Sequence, residues 1–294
     1  MSSQHTRLNL SAGTASVTMA LCLVVIKLWA VVQTQSLSVA ASTADSALDL
    51  LVSALGLAGI VYASRPPDDD HAFGHSSAED LTALAQALFL LVTAVALAGV
   101  SLQRLLSPAP APLASEGTGI TVMVISIVLT GALVLWQRRV ARLTGNRVVA
   151  ADSLHYLSDL LPSLGAILAL WLSARYGITD VDTIVGLIAS VVLFAGAVKI
   201  GTGAWNALMD RRVDPALIAE VETIIRDYPG IMGFHDLRSR TAGSQIFFDF
   251  HIELDGTLTL NEAHAIGAGL RRRIMETYPQ MDILIHKDPC DADR

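Results

Sequence analysis

The chain has 294 residues, of which 52% are hydrophobic and only 16% are charged, and its formal net charge is −7. A chain this apolar is not an ordinary soluble domain, so the composition favours a membrane protein. The acidic balance excludes nucleic acid as a predicted partner, because phosphate binding needs a basic surface. The two cysteines, Cys22 and Cys290, form neither a CxxC pair nor a disulfide framework.

Six apolar runs follow one another along the first part of the chain, at about 12–33, 39–62, 81–103, 119–136, 148–174 and 181–205. Each is long enough to cross a bilayer, which takes roughly 20 residues of helix. The first run lacks a persuasive signal-peptide cleavage site, so we expect it to be retained. Arginines are concentrated in the loops on one side, and the positive-inside rule therefore predicts that both termini are cytoplasmic.

Ionisable side chains stand at helical spacing in two of these runs. The second run carries Asp45 and Asp49 and the fifth carries His155 and Asp159, each pair four residues apart and so on one helix face. One charge at the bilayer centre costs about 2.5–3.5 kcal/mol even on a lenient scale. A divalent metal bound by three carboxylates and an imidazole would offset this cost. A polar network that only fixes helix packing is disfavoured, because serine, threonine or asparagine would do this at lower cost.

Further charged residues lie inside the apolar runs. Asp152 precedes His155 by one helical turn. Two interpretations stay open: it orients the imidazole, or it is a charge at the cytoplasmic entrance. Lys27 and Lys199 are predicted to extend toward an interface or to pair with a neighbour.

The loop after the second run places three carboxylates and two imidazoles within eight residues, Asp68 to His75. A solvated acidic turn is one interpretation of this segment. The more specific interpretation is a cytoplasmic metal site, because Asp68, His71 and His75 supply three ligands of suitable type.

Beyond Trp205 the chain becomes rich in charge, and residues 210–294 hold more than half of all the acidic residues. We expect a membrane domain over 1–209 and a soluble domain over 210–294. Asp214 and Pro215 indicate the start of a helix. Strands are predicted at about 231–241, 245–254 and 281–286, with a second helix over 262–278. The order αββαβ predicts a small three-stranded sheet backed by two helices.

Histidines are placed so that the soluble domain could also bind metal. His235, His251 and His286 lie in or beside the predicted strands, Asp288 follows, and His264 lies on the second helix. Ordinary surface or core histidines are the alternative, because residues this far apart in sequence must converge in space to form a site.

These motifs together resemble the cation diffusion facilitator family, specifically its bacterial zinc and iron exporters. The resemblance rests on the two membrane motifs, the Asp-Asp-Asp-His-x-Phe-Gly-His loop and the final Ile-His-Lys-Asp-Pro-Cys segment. It implies a homodimeric metal/proton antiporter of the inner membrane, not an enzyme, with six membrane helices and a metallochaperone-like, ferredoxin-like cytoplasmic domain. It implies Zn²⁺ as cargo and as a structural or regulatory ion, with Fe²⁺ or Cd²⁺ as alternatives. The sites it implies are a transport site (Asp45, Asp49, His155, Asp159), a loop site (Asp68, His71, His75) and a cytoplasmic site (His235, His251, His264, His286, Asp288).

Two positions depart from the family pattern. Ser77 stands where relatives carry a lysine, which removes the expected salt bridge between protomers near Asp210. Lys287 stands where relatives carry a neutral amide, and a cation beside the cytoplasmic site is expected to weaken it.

Alternating access around a midplane metal site is the expected mechanism, with metal binding and proton binding excluding each other. An intramembrane metalloprotease is disfavoured because the chain has no HExxH motif. A passive channel would not be built around a tight four-ligand site. The alternative function is a membrane-bound metal sensor that uses the soluble domain as its output, which would not require the membrane ligands.

Overall fold

A computed structural model describes residues 3–34, 37–106, 117–176 and 181–290. The chain divides into two compact units, one over residues 7–205 and another that combines the residues before Arg7 with those from Asn206 onward.

The first unit is built from six long helices. They are α1 (Ser3–Thr34), α2 (Leu37–Ala63), α3 (Ser77–Leu106), α4 (Gly117–Thr144), α5 (Arg147–Tyr176) and α6 (Val181–Leu208). Each predicted apolar run lies inside one of them. The helices extend past the runs, most clearly in α4, because arginine is a good helix former and continues the helix beyond the apolar part. Within the described residues, α1, α2, α3 and α6 are long and apolar enough to cross a membrane.

Small residues allow close packing between these helices. A Cβ at Gly165 of α5 would lie 2.4 Å from Cγ1 of Val185 on α6, and one at Gly196 of α6 would lie 2.6 Å from Cδ2 of Leu154 on α5. Glycine at such points lets two helix backbones approach each other, which is the usual packing device between membrane helices. α5 and α6 therefore approach each other closely at these two points.

The second unit has the order α7 (Pro215–Arg226), β1 (Gly233–Ala242), β2 (Gln245–Asp255), α8 (Leu260–Thr277) and β3 (Met281–Cys290). Its sheet has the strand order β1-β2-β3, with β2 antiparallel to β1 and parallel to β3. Asp214 caps α7 through a 2.8 Å bond from the backbone N–H of Ala216, as its sequence predicts. The predicted αββαβ order is confirmed, and so is the fold class of a helical membrane domain followed by a small α+β domain.

The two faces of the sheet have different characters. Phe248, Phe250 and Ile252 of β2 are fully buried and pack with residues of α7 and α8 in one apolar core. Alternate residues of a strand point to opposite faces, so His251 and its neighbours two residues away lie on the other, open face. This open face carries the polar groups described next.

Candidate metal sites

Three donor groups meet between α2 and α5. Nε2 of His155 lies 3.1 Å from Oδ1 of Asp49, and ligand atoms of Asp49, His155 and Asp159 all lie within 4.8 Å of one another. His155 is buried and Asp49 is half-buried. The two helices therefore turn these predicted ligands toward one point.

The fourth predicted ligand, Asp45, lies one turn away from Asp49 and lines the same cavity of about 430 Å³. Lys27 of α1 also lines this cavity, where its Nζ donates a 2.7 Å hydrogen bond to Oγ of Ser46. The predicted pairing of Lys27 with a neighbour is thus observed, and it places a cation among the carboxylates.

The imidazole of His155 also packs against two aromatic rings. Its ring lies edge-on to Phe89, with centroids 5.9 Å apart, and beside Tyr156 at 5.6 Å. Within the described part of the chain, its buried Nδ1 has no hydrogen-bond partner. Asp152 instead bonds to Ser53 and Gln137, so the interpretation that it orients the imidazole by a direct hydrogen bond is not supported.

A second group forms in the loop between α2 and α3. Oδ1 of Asp68 accepts a 2.7 Å bond from the backbone N–H of His71 and lies 3.1 Å from its Nδ1, while Oδ2 lies 3.3 Å from Nε2 of His75. Gly74, with φ +80°, makes the turn that brings the two rings together. Partial desolvation raises the pKa of Asp68, but hydrogen bonding to His71 and the proximity of His75 outweigh this effect. The pKa of Asp68 is therefore lowered overall. The carboxylate is thus ionised and available to a metal at neutral pH.

A third group crosses the open face of the sheet. His235 pairs with His251, and His251 pairs with His286, so the three imidazoles form one row across the three strands. Asp288 lies within reach of all three: its Oδ2 is 2.8 Å from Nδ1 of His251 and 3.3 Å from Nε2 of His235, and its Oδ1 is 3.2 Å from Nε2 of His286. The hydrogen bond from His251, opposed by slight desolvation and assisted by the charges of the other imidazoles, lowers the pKa of Asp288.

Other residues near this sheet site are placed differently from expectation. The Lys287 side chain lies over Gly267 of α8, on the helix-covered face, because strand alternation turns it away from its neighbours in sequence. The positive charge of Lys287 therefore lies on the opposite face from the sheet site, and the geometry does not support the expected weakening of metal binding there. His264 lies exposed on α8, and within the described residues it does not join the group formed by His235, His251 and Asp288.

Sequence reasoning missed Glu253, whose Oε1 lies 3.8 Å from Nε2 of His235. Its position two residues after His251 in an alternating strand was the signal that could have identified it. Asp210, which was expected to lose its partner because of Ser77, instead forms an ion pair with Arg240, at 3.3 Å within the same unit.

The chemistry of the three groups is alike. Each combines imidazole nitrogen with carboxylate oxygen, a donor set that suits Zn²⁺ and its first-row neighbours better than Mg²⁺ or Ca²⁺. One group can bind a divalent cation among the membrane helices. The other two can bind one in the polar loop between α2 and α3 and on the open face of the sheet. Together with the fold, it defines a membrane protein that handles metal cations.

Comparison with known proteins agrees with this class. The family profile described as "Cation efflux transmembrane domain" matches residues 13–209, and that described as "Cation efflux protein, cytoplasmic domain" matches 213–290. The cation-efflux pump FieF of Shewanella oneidensis is 40% identical over 282 residues, 96% of this chain and 94% of that protein. The FieF pump of Salmonella arizonae is 37% identical over 292 residues, 99% of this chain and 96% of that protein.

Among solved structures, the metal-bound C-terminal domain of the CzcD transporter from Thermotoga maritima is 20% identical, with a TM-score of 0.26. It covers 28% of this chain and all of that chain. The chain belongs to the cation efflux family, also called cation diffusion facilitators. It is accordingly a multi-pass membrane protein and a cation efflux transporter, and the family is one of transporters and not of enzymes.

Proposed function

We propose that this protein exports Zn²⁺ from the cytoplasm in exchange for protons, by alternating access around Asp45, Asp49, His155 and Asp159. Fe²⁺ and Cd²⁺ are the alternative cargoes, because the same mixed nitrogen and oxygen ligands accept them. The observation that carries the proposal is the convergence of Asp49, His155 and Asp159 in one cavity between α2 and α5. The ligands must lose their protons to bind the metal, which provides the coupling to a proton gradient.

The proposal extends to the whole assembly. The protein acts as a homodimer in the inner membrane with both termini in the cytoplasm, as the arginine distribution favours. The loop site of Asp68, His71 and His75 and the sheet site of His235, His251, His286 and Asp288 bind zinc from the cytoplasm, and His264 is not one of these ligands because α8 lies on the other face of the sheet. Metal on the soluble domain reports the metal level of the cell and tightens the dimer.

The experiment is zinc uptake into inside-out or reconstituted vesicles with an imposed pH gradient. The native chain is compared with Asp49→Ala and His155→Ala, and with Asp70→Asn as the control carboxylate outside the metal-binding groups. We expect gradient-dependent uptake in the native and control chains and its loss in the two site variants.

Unchanged uptake in both site variants would contradict the proposal and favour the sensor alternative. A sensor would keep zinc binding on the soluble domain while showing no flux. Measuring zinc binding on the same preparations therefore separates a transporter from a sensor.

A further inference from the structure

A buried hydrogen-bond network lies next to the proposed transport site and is distinct from it. At its centre is Asp152 of α5, which is 5% exposed. Its Oδ1 accepts a 3.2 Å bond from Oγ of Ser53 on α2, and its Oδ2 accepts a 2.5 Å bond from Nε2 of Gln137 on α4. Oγ of Ser16 on α1 lies 2.9 Å from Oγ of Ser53 and extends the network. Four helices thus contribute to the surroundings of one carboxyl group.

These direct partners are all neutral. Within the described residues, Asp152 forms no ion pair, and Arg147 at the start of the same helix pairs with Asp80 of α3. The titratable groups that interact with Asp152 electrostatically are His155 and Tyr156 on its own helix. An ionised carboxylate that is buried without a cation is costly, so these surroundings favour the protonated acid when the metal site is empty.

Gln137 can serve both protonation states of this carboxyl. Its amide N–H₂ donates to the ionised form, whereas its Oε1, which is buried and without a partner within the described residues, can accept from the acid after the amide rotates. Gln137 is fully buried and can either donate to or accept from its neighbour, so it suits a carboxyl group that gains and loses a proton.

The network also reaches the metal cavity. The hydroxyl of Tyr156 lies 3.0 Å from Oγ of Ser53, and Tyr156 lines the cavity that holds Asp49, His155 and Asp159. Asp152 itself lies in a separate narrow crevice with Ser53, between α1, α2 and α5. It is one helical turn from His155, close enough for a metal's charge to act on it in a low-dielectric interior.

We propose that Asp152 is a proton-binding site that does not contact the metal and that exchanges its proton against metal bound at the transport site; this rests on the proposed antiport. When a divalent cation binds to Asp49, His155 and Asp159, its positive charge favours the Asp152 carboxylate. The O–H bond of the acid breaks and the proton leaves to water, while the electron pair stays on the carboxylate. When the metal departs, a proton from water returns. The coupling is reciprocal, so the protonated acid weakens metal binding by the same factor.

The test counts the protons released when zinc binds to the purified full chain, by titration calorimetry in buffers of different ionisation enthalpy. In Asp152→Asn the amide mimics the neutral acid and cannot release a proton. We expect zinc still to bind, with about one proton fewer released per zinc-saturated chain than in the native chain. Thr14→Ala, which removes a hydroxyl of α1 that bonds to the backbone carbonyls of Leu10 and Ser11 and leaves the network intact, should release the native number.

An Asp152→Asn chain that releases the native number of protons would overturn the proposal, because a structural role alone leaves the proton count unchanged. If the asparagine variant does not fold, Asp152→Ser is measured in the same way and must give the same deficit. If the native chain itself releases no protons, the antiport fails, and the Asp152 proposal falls with it. The native measurement thus separates the two failures.

Discussion

Single carboxylates hold several imidazoles together in both groups outside the membrane helices. Asp68 uses one oxygen for each of its two histidines, and Asp288 reaches all three in its row. Such a carboxylate arranges the nitrogen ligands before any metal arrives, and it contributes negative charge that attracts the cation.

Asp288→Asn should therefore weaken zinc binding at the sheet site by roughly 10–100-fold, the range typical of lost ligand support. The amide is isosteric but lacks the charge that holds His235, His251 and His286 together. Zinc titration of the full chain, monitored by the zinc-dependent rise in the melting temperature, measures the loss. Glu253→Gln is the control, since Glu253 is farther from the group, and an equal loss there would show that charge alone matters.

Lys27 places a positive charge in the cavity of the transport site, where it interacts with Asp159. Lys27→Met should lower the KM for zinc by up to about tenfold, equivalent to about 1.4 kcal/mol, because a competing cation is removed from the carboxylates. Lys27→Arg keeps the charge and should keep a near-native KM. Vesicle uptake at varied zinc concentration gives both values, and equal KM values for the two variants would contradict an electrostatic role.

At the scale of helices, the close approach of α5 and α6 depends on the missing side chain at Gly165. Gly165→Ala should destabilise the membrane unit by about 1–3 kcal/mol, because the added methyl meets Val185 and forces packed helices to shift. Gly131→Ala is a matched control, since a Cβ there meets nothing within 4 Å. Thermal unfolding in detergent should separate the two variants, and an unchanged melting temperature for Gly165→Ala would show that the helices move apart freely.

Helix α8 begins with a capping box, in which Thr259 and Glu262 each bond to the other's backbone N–H. The bonds from the Thr259 hydroxyl and backbone N–H lower the pKa of Glu262. A carboxyl whose pKa is lower in the folded state stabilises fully above its unfolded pKa, and this contribution is lost as the pH falls through the folded pKa.

Glu262→Gln keeps the capping bonds without a titratable charge. The first turn of α8 in the native chain should lose hydrogen-exchange protection between about pH 5 and about pH 3, because the loss begins at the unfolded pKa of about 4.3 and continues through the lower folded pKa, and the glutamine variant should lose much less. Thr259→Ala should lower protection at both pH values, by about 1 kcal/mol for a lost cap. Equal pH dependence in the native chain and the Glu262→Gln variant would contradict this assignment.

The periodicity of helices and the free-energy cost of a charged group inside a membrane explain which parts of the site could be predicted. Asp49, His155 and Asp159 stand out because ionisable groups are rare in apolar helices, and the alternation of the strands indicated the sheet. Gln137 and Ser16 could not be predicted as partners of Asp152, because neutral polar residues are common in membrane helices. Their contacts depend on how each helix is rotated against the others, which no local pattern specifies.

For the whole molecule, the two cysteines provide a test of the predicted orientation. Cys290 ends β3 in the soluble unit, and Cys22 lies in α1. In a Cys22→Ser chain, a membrane-impermeant maleimide should label Cys290 in inside-out vesicles and leave it unlabelled in intact cells. Labelling in intact cells would place the soluble domain outside the cytoplasm and reverse the proposed direction of transport.

The row of His235, His251 and His286 ties metal binding to the pairing of the strands. Side-chain direction along a strand has a period of two, so a slip of one residue would turn a histidine into the apolar core and leave the row incomplete. The pairing of β1 with β2 is antiparallel and joins strands that are adjacent in sequence. The pairing of β2 with β3 is parallel and joins strands that α8 separates in sequence. A bound zinc ion would therefore stabilise only the chain whose distant strands have joined in the correct register, and metal supply would influence how reliably a newly made domain reaches its native sheet.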